Sequence, residues 1–507
     1  MKTYDSTAQK KLGQFIKNLR KQRGLSQAQF AKALATSQPA VARMESGKQN
    51  FSTGELLKIS RILDRKILAI PESLDFEIRG GQKVSGSITT NFSKNGSVSL
   101  LCASLLNQNK TTLHGIARIE EINRLIEIME SMGVNVRWVG THSLEITPPK
   151  KLSLSKINSQ SASRVRSSLM LIGPSIHNKP SFRLPHAGGC KMGNRTITAH
   201  RFGLEKLGIN IETKRGYYDV RTTKLKPAEI TMYEASDTAT NNVLMASALI
   251  PGTTKISFAP PNYQVQELCF FLEKMGVKID GIGTTSLVVH GISKFNKPLE
   301  YHNSEDPIEA MMFISVAATT GSKLTIKRAP INFLELELLK LEKMGLKFSL
   351  SKKYKSYNGK TELVDITVLP SKLKSSADKI HALPYPGINS DNLPFFVPIA
   401  TQSEGTTLIH DWMWENRAIY FTELNRLGAN ITLADPHRVF VSGKTKLKAT
   451  QVVCPPALRP AMIILIAMLA AEGTSVLRNV YSINRGYEEI AERLNSIGAQ
   501  IRVLGEL

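Results

Sequence analysis

A chain of 507 residues, 42% hydrophobic and 21% charged, holds enough apolar material for two or three cored domains, which excludes a mainly disordered protein. Its longest apolar run, PAMIILIAMLAA from Pro460, is too short to span a bilayer, and the opening MKTYDSTAQKKLGQF lacks the apolar centre of a secretory signal. A cytoplasmic location with no membrane partner is expected. The formal charge of +24 favours polyanionic partners, and it is unevenly spread: residues 1–70 carry 14 Lys/Arg against 4 Asp/Glu.

That basic head reads as short helices. Leu12, Phe15, Ile16 and Leu19 share one face and Gly24 ends the first helix. The stretch LSQAQFAKALATSQPAVARMESGK then gives a helix capped by Ser26, a turn at Thr36–Ser37 and a helix from about Gln38, with Phe30, Ala31, Leu34, Val41 and Met44 as the inner seam. Residues 10–66 resemble the helix-turn-helix of the Xre/lambda-repressor type. The resemblance implies a second helix in the major groove of duplex DNA, with Gln38, Ala40 and Arg43 facing bases and Gln27 and Lys48 near phosphates. Two heads on a two-fold site would make the chain a homodimer, which the sequence leaves open.

After the polar junction AIPESLD the texture becomes strands alternating with amphipathic helices. The endings MESMGVNV, LEKLGINI, LEKMGVKI, LEKMGLKF, LNRLGANI and LNSIGAQI place glycines at 133, 208, 276, 345, 428 and 498. An apolar helix, a turn and a strand precede five of them, as in ASALIPGTTKISF and AMLAAEGTSVLRN. Six such units, each unable to complete a core alone, predict two groups of three. This resembles the enolpyruvyl transferase fold: an α/β, two-domain inside-out α/β barrel with helices inside and sheets outside, here preceded by the small all-α head. The expected boundaries are 1–70 for the head, 94–258 for the lobe carrying a catalytic loop, and 76–93 with 259–507 for the other lobe.

Several segments are similar, in order, to the UDP-N-acetylglucosamine 1-carboxyvinyltransferase family over about residues 76–507: NFSKNGSVSLLCASLL, SRVRSSLMLIGP, AGGCKMGNRTITAH, EDPIEAMMF, ENRAIYFTELNRLGA and SINRGYEEIAERLNSIGA. The resemblance implies transfer of the enolpyruvyl group of phosphoenolpyruvate to the 3'-hydroxyl of UDP-N-acetylglucosamine, with release of phosphate, in peptidoglycan synthesis. It assigns Lys94, Arg166, Arg195 and Arg417 to the phosphate and carboxylate, groups that planar guanidinium forks suit. It makes Cys190 an acid or product-release group on a glycine-rich loop, its thiolate favoured by Lys191, Arg195 and His200, and Asp306 the acceptor of the hydroxyl proton. Asn95 would meet the sugar, Asp391 matches a further acidic position of the substrate site, and Ser236 would meet the nucleotide.

Cys102, Cys190, Cys269 and Cys454 show no metal spacing, and the histidines look too scattered for a metal set, so neither metal nor organic cofactor is implied. The chain also departs from the family pattern. LPHAGGC is two residues longer than usual, Asp237 and Thr238 replace Val-Gly near the nucleotide pyrophosphate, Thr198 replaces an acid, and Pro307 an arginine. An active transferase, a DNA-binding regulator that uses the fold as a UDP-sugar sensor, and another enolpyruvyl transferase remain the three readings.

Overall fold

The computed structural model describes residues 6–49, 51, 53–63, 74–188 and 196–505, divided into the units Met1–Glu72 and Ser73–Leu507. The first unit consists of α1 (Ser6–Gln22), α2 (Gln27–Ala33), α3 (Gln38–Glu45) and α4 (Thr53–Leu63) around Ile16, Leu19, Phe30, Val41, Met44 and Ile59. Ser26 caps α2 through a reciprocal box, its hydroxyl accepting from Gln29 N at 3.2 Å while Gln29 Oε1 accepts from Ser26 N at 2.8 Å. Phe15, expected on the inner face, is 43% exposed, because Ile16 and Leu19 already fill the stripe.

In the larger unit all six predicted cap glycines adopt a left-handed backbone, with φ between 88° and 98°. Only glycine reaches this geometry without strain, and each one turns a helix into the next strand. The described strands form six sheets. In three of them a parallel strand pair is joined by a helix buried nearly all round, such as Asp237–Ala248 and Leu458–Ala470. In two more, Leu299–His302 pairs with Thr111–His114 and Leu324–Pro330 with Ser87–Thr89, so that the helices Lys94–Ala103 and Pro307–Thr319 each carry the chain from one sheet to the other. The sixth sheet, strands Ser181–Pro185, Ile209–Lys214 and Tyr217–Thr222, has only antiparallel pairs. It belongs to the unit that carries the cysteine segment.

The first strand of this unit, β1 (Asp75–Gly80), lies between Gly473–Arg478 and Gln500–Leu504, antiparallel to both. β2 (Ser87–Thr89) pairs with Leu324–Pro330. The larger unit thus begins and ends in the same lobe. The division at 258/259 is corrected. One core runs from Val98 to Tyr301 and includes most of the helix Tyr263–Lys274, while the other joins 76–88 to 308–501, with Tyr263 alone reaching across. The second crossing therefore falls at residues 303–306. Among the described residues no helix is long and apolar enough to cross a membrane.

Candidate active site

The two crossings lie side by side. Phe92 bridges Glu305 in antiparallel sense, Ser93 N donates to Ser304 O at 2.7 Å and Asp306 N to Asn91 O at 2.8 Å. Immediately after each crossing an inner helix begins: α5 (Lys94–Ala103) and Pro307–Thr319. Asp306 caps the second, its Oδ1 accepting from Ile308 N at 2.8 Å, while its Oδ2 accepts from Lys94 N at 3.2 Å. Two sequence-predicted catalytic residues, 212 positions apart, meet through this one backbone contact.

The inner helices focus the remaining chemistry at their first turns. Arg166 opens the 3-10 segment Arg166–Leu171, Ser236 and Asp237 open Asp237–Ala248, Asp391 precedes Leu393–Phe395, and Arg459 lies in the first turn of Leu458–Ala470. Arg459 Nη2 donates to Asp391 Oδ2 at 3.0 Å and its Nη1 to Tyr487 Oη at 2.6 Å. Burial pushes Asp391 up, but Arg459, Arg417 and Lys94 outweigh it and hold the carboxyl below its ordinary range. At Asp306 burial wins over Arg459 and the backbone donors, and the carboxyl is raised. Two carboxyls within the field of the same arginine are thus pushed in opposite directions, one toward a permanent anion and one toward a proton acceptor.

Lys94 is not a bare cation. Its Nζ lies 2.7 Å from Glu121 Oε2 on α6 (Glu120–Ser131). Burial raises Glu121, yet Lys94 prevails and the carboxyl is held low. Asn95 Nδ2 donates to Tyr263 Oη at 2.8 Å, and that buried phenol is pushed up by burial and then by Asp306 and Asp391. Asp237 accepts from Asn262 Nδ2 at 2.9 Å and from Gln264 Nε2, and burial raises it to about 6. The acid that looked misplaced beside an anion is therefore amide-bonded and half-neutral near pH 6. Ser236 makes no capping bond through its side chain.

Arg417, expected to meet an anion, is ion-paired within the protein. It is 1% exposed and held by Asp411, through Nε to Oδ2 and Nη2 to Oδ1 at 2.9 Å, while Nη2 also donates to Ser390 O at 2.6 Å. Its Nη1 stands 4.0 Å from Asp391 Oδ1. The guanidinium fork anchors the loop that carries Asp391. Arg166 Nη2 donates to Thr196 O at 2.7 Å. Cys190 and Arg195 lie outside the described residues. Arg459, Glu121, Tyr263 and Asp411 were missed from sequence; for Arg459 a signal existed, since ALRPAM occupies the repeat position of Lys94 and Asp306.

In the head, Gln38, Arg43 and Lys48 are exposed. Ala40, expected to face a base, is buried at 8% exposure, whereas Ala42 is exposed beside Arg43. Gln27 Nε2 donates to Glu45 Oε2 at 2.9 Å, joining the buried Arg20–Glu45 ion pair that ties α1 to α3. Burial raises Glu45, but the Arg20 and Gln27 hydrogen bonds prevail and hold it low.

Comparison with known proteins agrees with this geometry. The family profile described as EPSP synthase (3-phosphoshikimate 1-carboxyvinyltransferase) matches residues 66–162 and 167–494, and a helix-turn-helix profile matches 16–70. UDP-N-acetylglucosamine 1-carboxyvinyltransferase of Treponema denticola is 34% identical over 437 residues, 85% of this chain and 99% of the relative. The protein of that name from Bradyrhizobium diazoefficiens is 32% identical over 441 residues, again 85% and 99%. Among solved structures, the enolpyruvyl transferase NikO of Streptomyces tendae shares the fold with a TM-score of 0.72 at 23% identity, covering 85% of this chain and 99% of that one. With six units, paired crossings and relatives aligned almost end to end, the chain belongs to the UDP-N-acetylglucosamine 1-carboxyvinyltransferase family of enolpyruvyl transferases and carries a helix-turn-helix domain ahead of it.

Proposed function

We propose that this protein transfers the enolpyruvyl group of phosphoenolpyruvate to the 3'-hydroxyl of UDP-N-acetylglucosamine in the cytoplasm, the committing step of peptidoglycan synthesis. The observation that carries the proposal is the meeting of Lys94 and Asp306 at the paired crossings, two inner-helix starts in one place. Helix N-termini favour anions, and phosphoenolpyruvate brings two anionic groups. Its phosphate takes Lys94 from Glu121, and Arg166 and Arg195 complete the cationic set. Arg417 and Arg459 act at one remove, holding Asp391 where the sugar binds.

In the addition step the 3'-oxygen attacks C2 of phosphoenolpyruvate while C3 gains a proton. Asp306 takes the hydroxyl proton; its raised affinity for protons makes it a better base than an ordinary carboxylate. Cys190 is the acid assigned to C3. Elimination then removes a proton from C3 as the C2–O bond to phosphate breaks, which restores the double bond and frees phosphate. Asn95 orients the sugar from Tyr263, and Ser236 meets the nucleotide. The head binds duplex DNA through Gln38 and Arg43 at bases and Lys48 at phosphates, with two heads pairing on a two-fold site. Phosphate release that requires both substrates and is lost in Asp306→Asn supports the transferase; tight binding of both without release contradicts it.

A further inference from the structure

Two of the histidines that look scattered in sequence meet outside the active site. β3 (Thr111–His114) and the strand Leu299–His302 run parallel, with His114 opposite His302 in register. The two-residue period of a strand puts Glu300 on the same side as His302. The two imidazole rings stack with centroids 4.4 Å apart and planes 21° from parallel. His114 Nε2 lies 2.8 Å from Glu300 Oε1, and one donor atom from each of the three side chains falls within 4.8 Å of the others. We propose that His114, Glu300 and His302 bind a divalent transition-metal ion of the zinc type, with a fourth position open to water.

The donor set carries the choice of metal. Two imidazoles and one carboxylate suit zinc-like ions, whereas calcium and magnesium call for oxygen ligands. Metal–nitrogen bonds of about 2.0–2.1 Å bring tetrahedral donors to roughly 3.4 Å from one another. Side-chain rotation closes the present spread, since Glu300 is exposed and both histidines are half-buried. An orienting partner is already in place: His114 Nδ1 lies 2.8 Å from Ser143 Oγ, the residue opposite it on the antiparallel neighbour Ser143–Thr147. With Nδ1–H donating there, Nε2 presents its lone pair. The ion joins the two strands that flank the crossing, where Asn303 N donates to His114 O at 2.9 Å.

The test uses full-length protein in a Cys190→Ser background, stripped with a chelator, so that the loop thiol cannot compete. Calorimetric titration with zinc chloride is repeated after Glu300→Gln, His302→Ala and Ser143→Ala. Glu300 is exposed, so Glu300→Gln should keep the metal-free thermal midpoint of its background. We expect one equivalent of zinc to bind, at least tenfold more weakly in the Glu300 and His302 variants, and about tenfold more weakly without the orienting hydroxyl. Bound zinc should also raise the thermal midpoint of the background protein. Absence of binding, or an equivalent whose affinity is unchanged in both Glu300→Gln and His302→Ala, overturns the assignment.

Discussion

Replacing Asp237 by Asn isolates one charge at the first turn of the inner helix Asp237–Ala248. Burial moves this carboxyl from an ordinary 3.8 to about 6, so between those values the folded chain holds a proton that the unfolded chain has released. Stability therefore falls as pH rises through this window. A shift of about two units corresponds to about 3 kcal/mol, fully present as a cost above pH 7 and absent below pH 4. Asparagine keeps the carbonyl oxygen that accepts from Asn262 and Gln264 but cannot ionise. Urea unfolding of both proteins should give nearly equal stability at pH 4 and a variant more stable by about 3 kcal/mol at pH 7.5. Removing the negative charge should also lower the KM for UDP-N-acetylglucosamine at pH 7.5. A stability difference that stays constant with pH, or grows as pH falls, would refute the reasoning.

Other perturbations test other parts of the account. Asp306→Asn should lower kcat by roughly 10²–10⁴-fold, as loss of a positioned base does, while leaving the fold intact, because asparagine caps a helix as well as aspartate; steady-state phosphate release and a thermal scan decide this together. Gly276→Ala should cost about 1–2 kcal/mol for the left-handed backbone alone, since nothing lies within 4 Å of the added carbon. Gly208→Ala should cost more, because Lys224 O would lie 2.7 Å from it; chemical unfolding ranks the two. Arg43→Ala should weaken discrimination among DNA sequences by about 1–3 kcal/mol, with Lys48→Ala weakening all sequences alike and flattening the salt dependence, as read by fluorescence anisotropy.

The repeat was the most legible feature of the sequence. Six glycines after leucine-rich helices marked six left-handed caps, because no other residue takes that backbone freely. Lys94 and Asp306 were legible only through the family resemblance of NFSKNGSVSLLCASLL and EDPIEAMMF, since polar residues such as Ser97, Ser99 and Glu309 share their helices. The lobe boundary was not legible. Tyr263–Lys274 has the texture of every other outer helix, and only its partners show which core it joins. The pairing of Arg417 was not legible because its mate Asp411 lies in the loop HDWMWENR, where nothing local signals a buried ion pair. Ala40 was misread because alanine suits either face of a helix, so the positions of Val41 and Met44 had to decide it.

The proposed transfer takes place at the junction of Lys94 and Asp306. The most direct measurement is mass spectrometry of the nucleotide product after incubation with phosphoenolpyruvate and UDP-N-acetylglucosamine. The predicted result is UDP-N-acetylglucosamine bearing one carboxyvinyl ether on the 3'-oxygen, formed mole for mole with phosphate and missing when Asp306→Asn replaces the native protein. Unchanged nucleotide after saturating binding of both substrates would contradict it and leave the fold as a sensor coupled to a DNA-binding head.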